Sequence, residues 1–211
     1  MKITWNDIKQ SVNRLMFLDP SEIDEGYNSL EYKDAVIEAA NFALIELSKI
    51  FPVLCCYDEI SQSESDEDGY NTYDMFELVD DFAGFSDDAP VLISDDELGW
   101  VDCPDYQILL DRYLYIKKSI DGDFNIIYKK ALTKITSATD DDSEMELNAE
   151  VCNIMPLLIA YRVYKDDDPY KAAQYFNEYM NARAETAEIK TIKHRATVSG
   201  GDSYALSNFC T

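Results

Sequence analysis

From Ile50 to Asp111 the chain has no Lys, Arg or His, yet this stretch holds eighteen Asp and Glu, from Asp58 and Glu59 through to Asp111. The net charge of the 211 residues is −24, so three quarters of the imbalance lies in the middle of the chain. One-signed charge at this density repels itself over a screening length of roughly 8 Å at ordinary salt. It also repels nucleic-acid phosphates and anionic lipid headgroups. The stretch is therefore not a docking surface for DNA or a membrane. It fits a wall past which DNA slides, a cation-binding surface or a solubilising one.

A disordered acidic tail is excluded by composition. Apolar residues make up 46% of the chain, with 15 Tyr, 9 Phe and 2 Trp, enough for a core in one domain or in a domain with a large insertion. There is no run of eighteen apolar residues, and the opening Met1–Asp7 lacks the apolar centre of a secretory signal, so a soluble intracellular start is expected. Five cysteines, Cys55, Cys56, Cys103, Cys152 and Cys210, include no CxxC pair and none at zinc-ligand spacing from a His. They are expected to be reduced thiols.

Thr4, with Asp7 three residues on, has the pattern of a helix N-cap, and Ile8, Val12, Leu15 and Met16 follow at helical spacing, predicting a helix over about 5–17. Asp19 and Pro20 end it. Val36, Ala40, Ala43, Leu44, Leu47 and Phe51 predict a second helix over about 30–50, closed by Pro52, with Ala35, Ala39, Ala40 and Ala43 as a small-residue face. Residues 58–73 have the composition of an exposed acidic loop. Short β-branched or aromatic runs follow at 76–79, 91–93, 106–110, 113–117 and 124–130, and the turn Asp121-Gly122-Asp123 between Ile116 and Ile126 is a hairpin signal. A small antiparallel β unit over about 75–132 is expected.

After Asp140, Asp141 and Asp142, which have the place of helix caps, Leu147 to Val163 is apolar nearly all round, predicting a central buried helix that Pro156 kinks or splits. Asp168 as N-cap and Pro169 at the first position open a fourth helix, with Ala172, Phe176, Tyr179, Met180 and Arg183 on one face, running to about Glu188. The short link makes the last two helices antiparallel. Beyond Lys190 the composition turns basic, then Gly- and Ser-rich, which predicts a flexible tail. The fold expected is α+β: a four-helix core, two helices from each end of the chain, interrupted by a small antiparallel β insertion and followed by an extended C-terminal tail. The divisions are 1–55 with 133–189 as a helical body, 56–132 as acidic loop plus β insertion, and 190–211 as the tail.

Catalytic signals are missing. The single His194 lies in the tail with nothing to hold it beside a nucleophile, and phosphate loops, dinucleotide fingerprints, zinc-protease helices and nucleophile elbows do not occur. Glu64, Asp66, Asp68 and Gly69 imitate the first half of a calcium loop, but Met75 stands where the bidentate Glu belongs. Asp166, Asp167 and Asp168 are explained as caps. No enzyme and no cofactor is expected.

The run from Ile135 through Asp140, Asp141, Asp142 and Leu147, then Glu150 and Val151, Met155 to Ala160, Tyr164 to Pro169, Ala172, and Tyr175 to Glu178, resembles the C-terminal helical pair of tailed-phage head-to-tail connector proteins, the adaptor or head-completion family. The resemblance is firmest over 135–185, looser over 4–52, and topological in the β region. It implies a virion protein at the head-tail junction, present in the host cytoplasm during assembly. Its subunits would form a homo-oligomeric ring of about twelve, between the portal above and a tail or stopper protein below, with DNA passing through without specific binding and no membrane involved. It implies that the tail meets the portal through Lys190, Lys193, His194, Arg195, Tyr204 and Phe209. An electronegative bore would be lined by acids such as Asp80, Asp81, Asp87, Asp88, Asp95 and Asp96. Ala39, Ala43, Tyr164, Tyr175 and Tyr179 are the expected contacts between subunits, or core within one. The alternative is an acidic DNA mimic that inhibits a nucleic-acid-binding protein; a calcium-dependent enzyme or binding module is a third possibility.

Overall fold

A computed structural model of the chain describes residues 2–16 and 30–198. These divide into two compact units. One joins residues up to Pro52 with those from Leu132 onward, and the other holds Val53–Ala131.

The first unit is helical. Helix α1, Trp5–Met16, starts at a reciprocal capping box: Thr4 Oγ1 accepts from the Asp7 amide at 3.3 Å while the Asp7 carboxylate accepts from the Thr4 amide at 2.9 Å. The next free amides, of Trp5 and Asn6, donate to the Ser143 and Asp141 carbonyls, both at 2.9 Å. The acids at 140–142 thus do not cap the following helix; their segment runs beside the chain start, with Thr4 and Glu144 bridged as in a sheet. Replacing Thr4 by Ala is expected to lower stability by about 0.5–2 kcal/mol, read by thermal denaturation; an unchanged midpoint would mean the cap does not hold this helix start.

Helix α2, Leu30–Ile50, buries Val36, Ala39, Ala40, Ala43, Leu44 and Leu47. Its Asn41 reaches out like a strand edge, donating to the Ile135 carbonyl at 2.8 Å and accepting from the Ile135 amide at 2.9 Å, which fixes the segment leading to the later helices. Helix α4, Ala149–Tyr164, is capped by Asn148, whose side chain accepts from the Val151 amide. Apolar on most sides, it is buried on most sides, with Glu150 and Asn153 left exposed, and α1, α2 and a later helix pack on it. Pro156 does not split it: the helix is continuous from Ala149 to Tyr164.

The second unit is all sheet but for one helical turn. Its strands are β1 Leu54–Gln62, β2 Tyr70–Asp74, β3 Phe82–Phe85, β4 Val91–Asp95, β5 Gly99–Asp102, β6 Tyr106–Leu109, β7 Tyr113–Lys117 and β8 Gly122–Lys130; helix α3, Met75–Leu78, is the turn. A five-stranded antiparallel sheet has the order β1-β8-β4-β5, with β3 also on β8, and a three-stranded one has the order β2-β7-β6. Ile60, Phe82, Leu114, Ile116, Phe124 and Ile126, drawn from both sheets, meet in one core. Gln62 ties the sheets together: its amide donates to the carbonyls of Lys117 and Ile120, and its oxygen accepts from Asn71 and Tyr73.

This corrects the expected fold class. Among the described residues there are five helices and eight strands in two antiparallel sheets, 41% helical and 27% strand, with the helices mostly at the ends; it is not a four-helix core with a small β insertion. Much of the extra sheet comes from 58–73, expected as a loop. In β1, Cys55, Tyr57 and Ile60 serve the core while Asp58 and Glu59 sit exposed in a bulge between the Tyr57 and Ile60 pairings, so the acids never enter the interior. The strand expected at 76–79 is instead α3, because the Asp74 carboxylate accepts from the Phe76 amide at 3.2 Å and caps a turn of helix. The Asp121-Gly122 turn makes no hairpin: β7 pairs with β2 and β6, while β8 pairs with β1, β3 and β4.

The last helix, α5, runs Pro169–Val198 from its Asp168 cap, where the extended tail was expected from residue 190. No Gly or Pro stands between Tyr170 and Ser199 to stop it. Cys55, Cys103 and Cys152 carry thiols, the last pushed up to about 11 by burial, whereas Cys56 is disulfide-bonded, against the expectation of five reduced thiols.

Candidate functional site

The β unit carries twenty Asp and Glu against five Lys and Arg, a net charge of −15 over Val53–Ala131. All five cations are held by carboxylates: Arg112 by Asp74, Lys117 by Asp105 at 3.0 Å, Lys118 by Glu67 at 2.7 Å, Lys129 by Asp87 at 2.6 Å and Lys130 by Asp81 at 3.7 Å. The other fifteen acids make no ion pair among the described residues. Pairing neutralises the cations inside the unit and leaves a surface of one sign.

The acids expected to line a bore lie along one edge of β8, where β3, a five-residue link and β4 follow one another. Asp80 and Asp81 precede β3, Asp87 and Asp88 are in the link, and Asp95 and Asp96 are at the far end. Spread along about 27 Å of strand, they form a line rather than a cluster. Asp81 also accepts from the Tyr128 hydroxyl at 2.8 Å; burial, and then this bond, raise that phenol above its ordinary range. Asp95 accepts from the Glu97 and Leu98 amides, which lower its carboxyl below the usual range. Asp80, Asp88 and Asp96 are exposed. Among the described residues no group of three His, Cys, Asp or Glu is placed to hold a metal, Glu64, Asp66 and Asp68 included.

At one end of this unit the backbone is strained. The β6–β7 turn, closed by the Arg112 amide donating to the Leu109 carbonyl at 3.2 Å, places Leu110 at φ 57° and Asp111 at φ 50°. Both values belong to the left-handed region, where Gly, Asn and Asp are at home and a bulky residue costs about 1–3 kcal/mol. Neighbours hold the turn. The Asp111 carboxylate accepts from the Phe85 amide at 3.1 Å and lies against Gly84, where a Cβ would come within 2.6 Å of it. Arg112 donates from Nε to both Asp74 oxygens at 2.9 and 3.0 Å and lies over the Phe76 and Tyr113 rings. The result is a displayed apolar tip: Leu110 is 81% exposed and its chain neighbour Leu109 is exposed too, while Phe76, under the Arg112 guanidinium, and Leu78 are exposed on α3.

Hydrogen bonding to Arg112 is the main cause that lowers the Asp74 carboxyl below 3.8. A carboxyl with a depressed folded pKa adds stability that is fully present above its unfolded value and is lost as pH falls through the folded one. Acid unfolding of the native chain below pH 3.8 is therefore expected to be steeper than that of Asp74→Asn, the two curves converging at the acid end; parallel curves would rule the ion pair out as an acid-sensitive element.

In the helical unit, the expected subunit contacts are occupied internally. Ala39, Ala43 and Tyr179 are buried. The Tyr164 hydroxyl donates to the Met16 carbonyl at 3.1 Å, the Tyr175 hydroxyl to that of Leu15, and the two rings stack 5.9 Å apart, satisfying the C-terminal carbonyls of α1. The phase of α5 also differs from expectation. Ala172, Tyr179 and Thr186 face the body, Phe176 packs its ring on Tyr161 of α4 with centroids 4.9 Å apart and stays partly exposed, and Ala173, Met180 and Ala184 are exposed. Sequence periodicity allowed either face, since Phe176 and Met180 match the spacing as well as Tyr179. Lys190, Lys193, His194 and Arg195 fall on the backbone of α5, and Tyr204 and Phe209 lie outside the described residues.

An open groove of about 370 Å³ runs between Trp5, Leu44, Ile135 and Met145. Its acid Glu146 accepts from the Thr133 amide at 2.6 Å and from the Thr133 hydroxyl at 3.2 Å, so its carboxylate is a structural brace for the segment before α4. No helix among the described residues is long and apolar enough to cross a membrane. Compared with protein-family models and with curated proteins, the chain matches none.

Proposed function

We propose that this chain is a structural subunit of a head-to-tail adaptor ring, joining a portal to a tail and presenting an electronegative surface to DNA that passes without binding. The observation that carries the reading is the β unit's charge: every cation in Val53–Ala131 is held by an acid, so fifteen carboxylates face outward with no counter-charge of their own. A DNA polyanion near such a surface is repelled and free to slide. Helices from both ends of the chain pack on α4, which makes the helical unit one body. Helix α5, thirty residues and about 45 Å long, shares a turn with the sixteen-residue α4 and outruns it, which offers a projecting element to a neighbouring protein.

Antibody labelling of tailed particles tests the reading. A label confined to the collar between head and tail is expected. Particles bare of label would overturn it, and would favour the DNA-mimic alternative if the chain then captured a basic nucleic-acid-binding protein in a salt-sensitive way.

A further inference from the structure

We infer that the C-terminal segment 203–211 is a strap over the outer face of the five-stranded sheet, tied down by a disulfide between Cys56 and Cys210 and released when that bond is reduced. Of the five cysteines, Cys55, Cys103 and Cys152 carry thiols and Cys56 is disulfide-bonded, which leaves Cys210, outside the described residues, as its partner in the chain. The inference concerns the β unit alone and stands apart from the adaptor reading.

Cys56 stands opposite Ile127 on the β1–β8 ladder, and Leu92 stands opposite Asn125 on the β4–β8 ladder. Successive strand residues alternate between faces. These four therefore share the face turned away from Phe124 and Ile126, whose side chains lie in the core between the sheets. Trp100 of β5, opposite Ser94, is on the same outer face. The other elements of the β unit are committed to the inner side, where Met75, Leu114 and Ile116 join the core. Yet the outer face is not a wet one: Leu92 is 1% exposed, and Asn125 and Ile127 are 5% exposed. Asn125 Oδ1 is buried there with no hydrogen-bond donor among the described residues, which calls for a polar group laid against it.

The segment that carries Cys210 has the chemistry for this place. A disulfide holds its two Cα atoms within about 4.4–6.8 Å, so Cys210 and the residues before it lie on the face that presents Cys56. Residues 203–211 contain no charged side chain, in a chain of net charge −24, so they meet no repulsion from the acids around them. In an extended strap Tyr204, Leu206, Asn208 and Cys210 fall on one side. With Cys210 on Cys56, Leu206 and Tyr204 cover apolar surface and the Asn208 amide is a donor for Asn125 Oδ1. The reach is sufficient: six residues span about 20 Å, and the crossing from β1 to β5 is about 14 Å.

The bond forms when the two thiols pass two electrons and two protons to a disulfide-form exchange partner, which leaves as a dithiol; a dithiol reductant reverses the step. Peptide mapping of the oxidised whole chain without reductant is expected to give one cross-linked product joining Cys56 to Cys210. Hydroxyl-radical footprinting read by mass spectrometry then follows the outer face. Dithiothreitol, Cys210→Ser and a chain ending at Asp202 should each raise labelling of Leu92, Trp100 and Ile127 several-fold, with Phe124 on the inner face unchanged. Cys56 recovered as a thiol, or joined to a cysteine of a second copy, would overturn the inference. Labelling that stays the same in the shortened chain would overturn it too, since something else would then cover the face. An equal rise at Phe124 would do so as well, because it would report loss of the unit's fold rather than release of a strap.

Discussion

Phe124→Ala is expected to destabilise the β unit by about 3–5 kcal/mol, the cost of removing a fully buried aromatic ring and leaving a cavity. Phe124 is 0% exposed and lies on β8, the strand that pairs with β1, β3 and β4, so its ring stands where most of the five-stranded sheet converges. The residues it packs among, Ile60, Phe82, Leu114, Ile116 and Ile126, all belong to Val53–Ala131. The damage should therefore be local. Amide exchange followed by mass spectrometry should show faster exchange across β1–β8 while α1, α2 and α4 keep their protection. Equal acceleration in the helices would contradict a β unit with its own core.

Ile159→Ala should destabilise the helical unit by about 2–5 kcal/mol. Ile159 is fully buried on α4, the helix on which α1, α2 and α5 all pack, so removing its side chain leaves a cavity among them. Asn153, exposed on the same helix, is the control, and its change to Ala should fall within about 0.5 kcal/mol of neutral. Denaturant unfolding of both variants decides the matter: comparable losses would mean that α4 is not the centre of the unit.

Helix starts were legible because their chemistry is local. The Thr4–Asp7 box, the Pro52 stop after α2 and the Asp168-Pro169 opening of α5 each involve residues within a few positions of one another, and each is in place. The sheets were not, because strand pairing is settled far along the chain. Asp121-Gly122-Asp123 has the composition of a hairpin turn, yet the strands on either side go to different sheets, a choice made by β2 some forty residues earlier and by β1 beyond it. The acids of 58–68 hid β1, since density of charge looks like a loop until a bulge places Asp58 and Glu59 outside the ladder.

The candidate site shows the same division. The acidity of the middle of the chain is plain from composition, but which carboxylates are engaged depends on cations that arrive much later, such as Lys129 for Asp87 and Lys130 for Asp81. Leu110 gave no signal, because nothing in a Leu-Leu-Asp-Arg run marks a left-handed turn; only the backbone angles and the Asp111 contact with Gly84 reveal it. The basic stretch from Lys190 looked like a tail because charged residues with few apolar neighbours cannot bury themselves, yet they can extend a helix already begun.

Electron microscopy of the purified chain mixed with isolated portal rings bears on the proposed adaptor role most directly. The account predicts closed rings of this chain seated coaxially on one face of the portal, with density for the acidic β units bordering the channel. Portal rings left bare at saturating chain, or bound chain with its β units turned away from the channel, would contradict it.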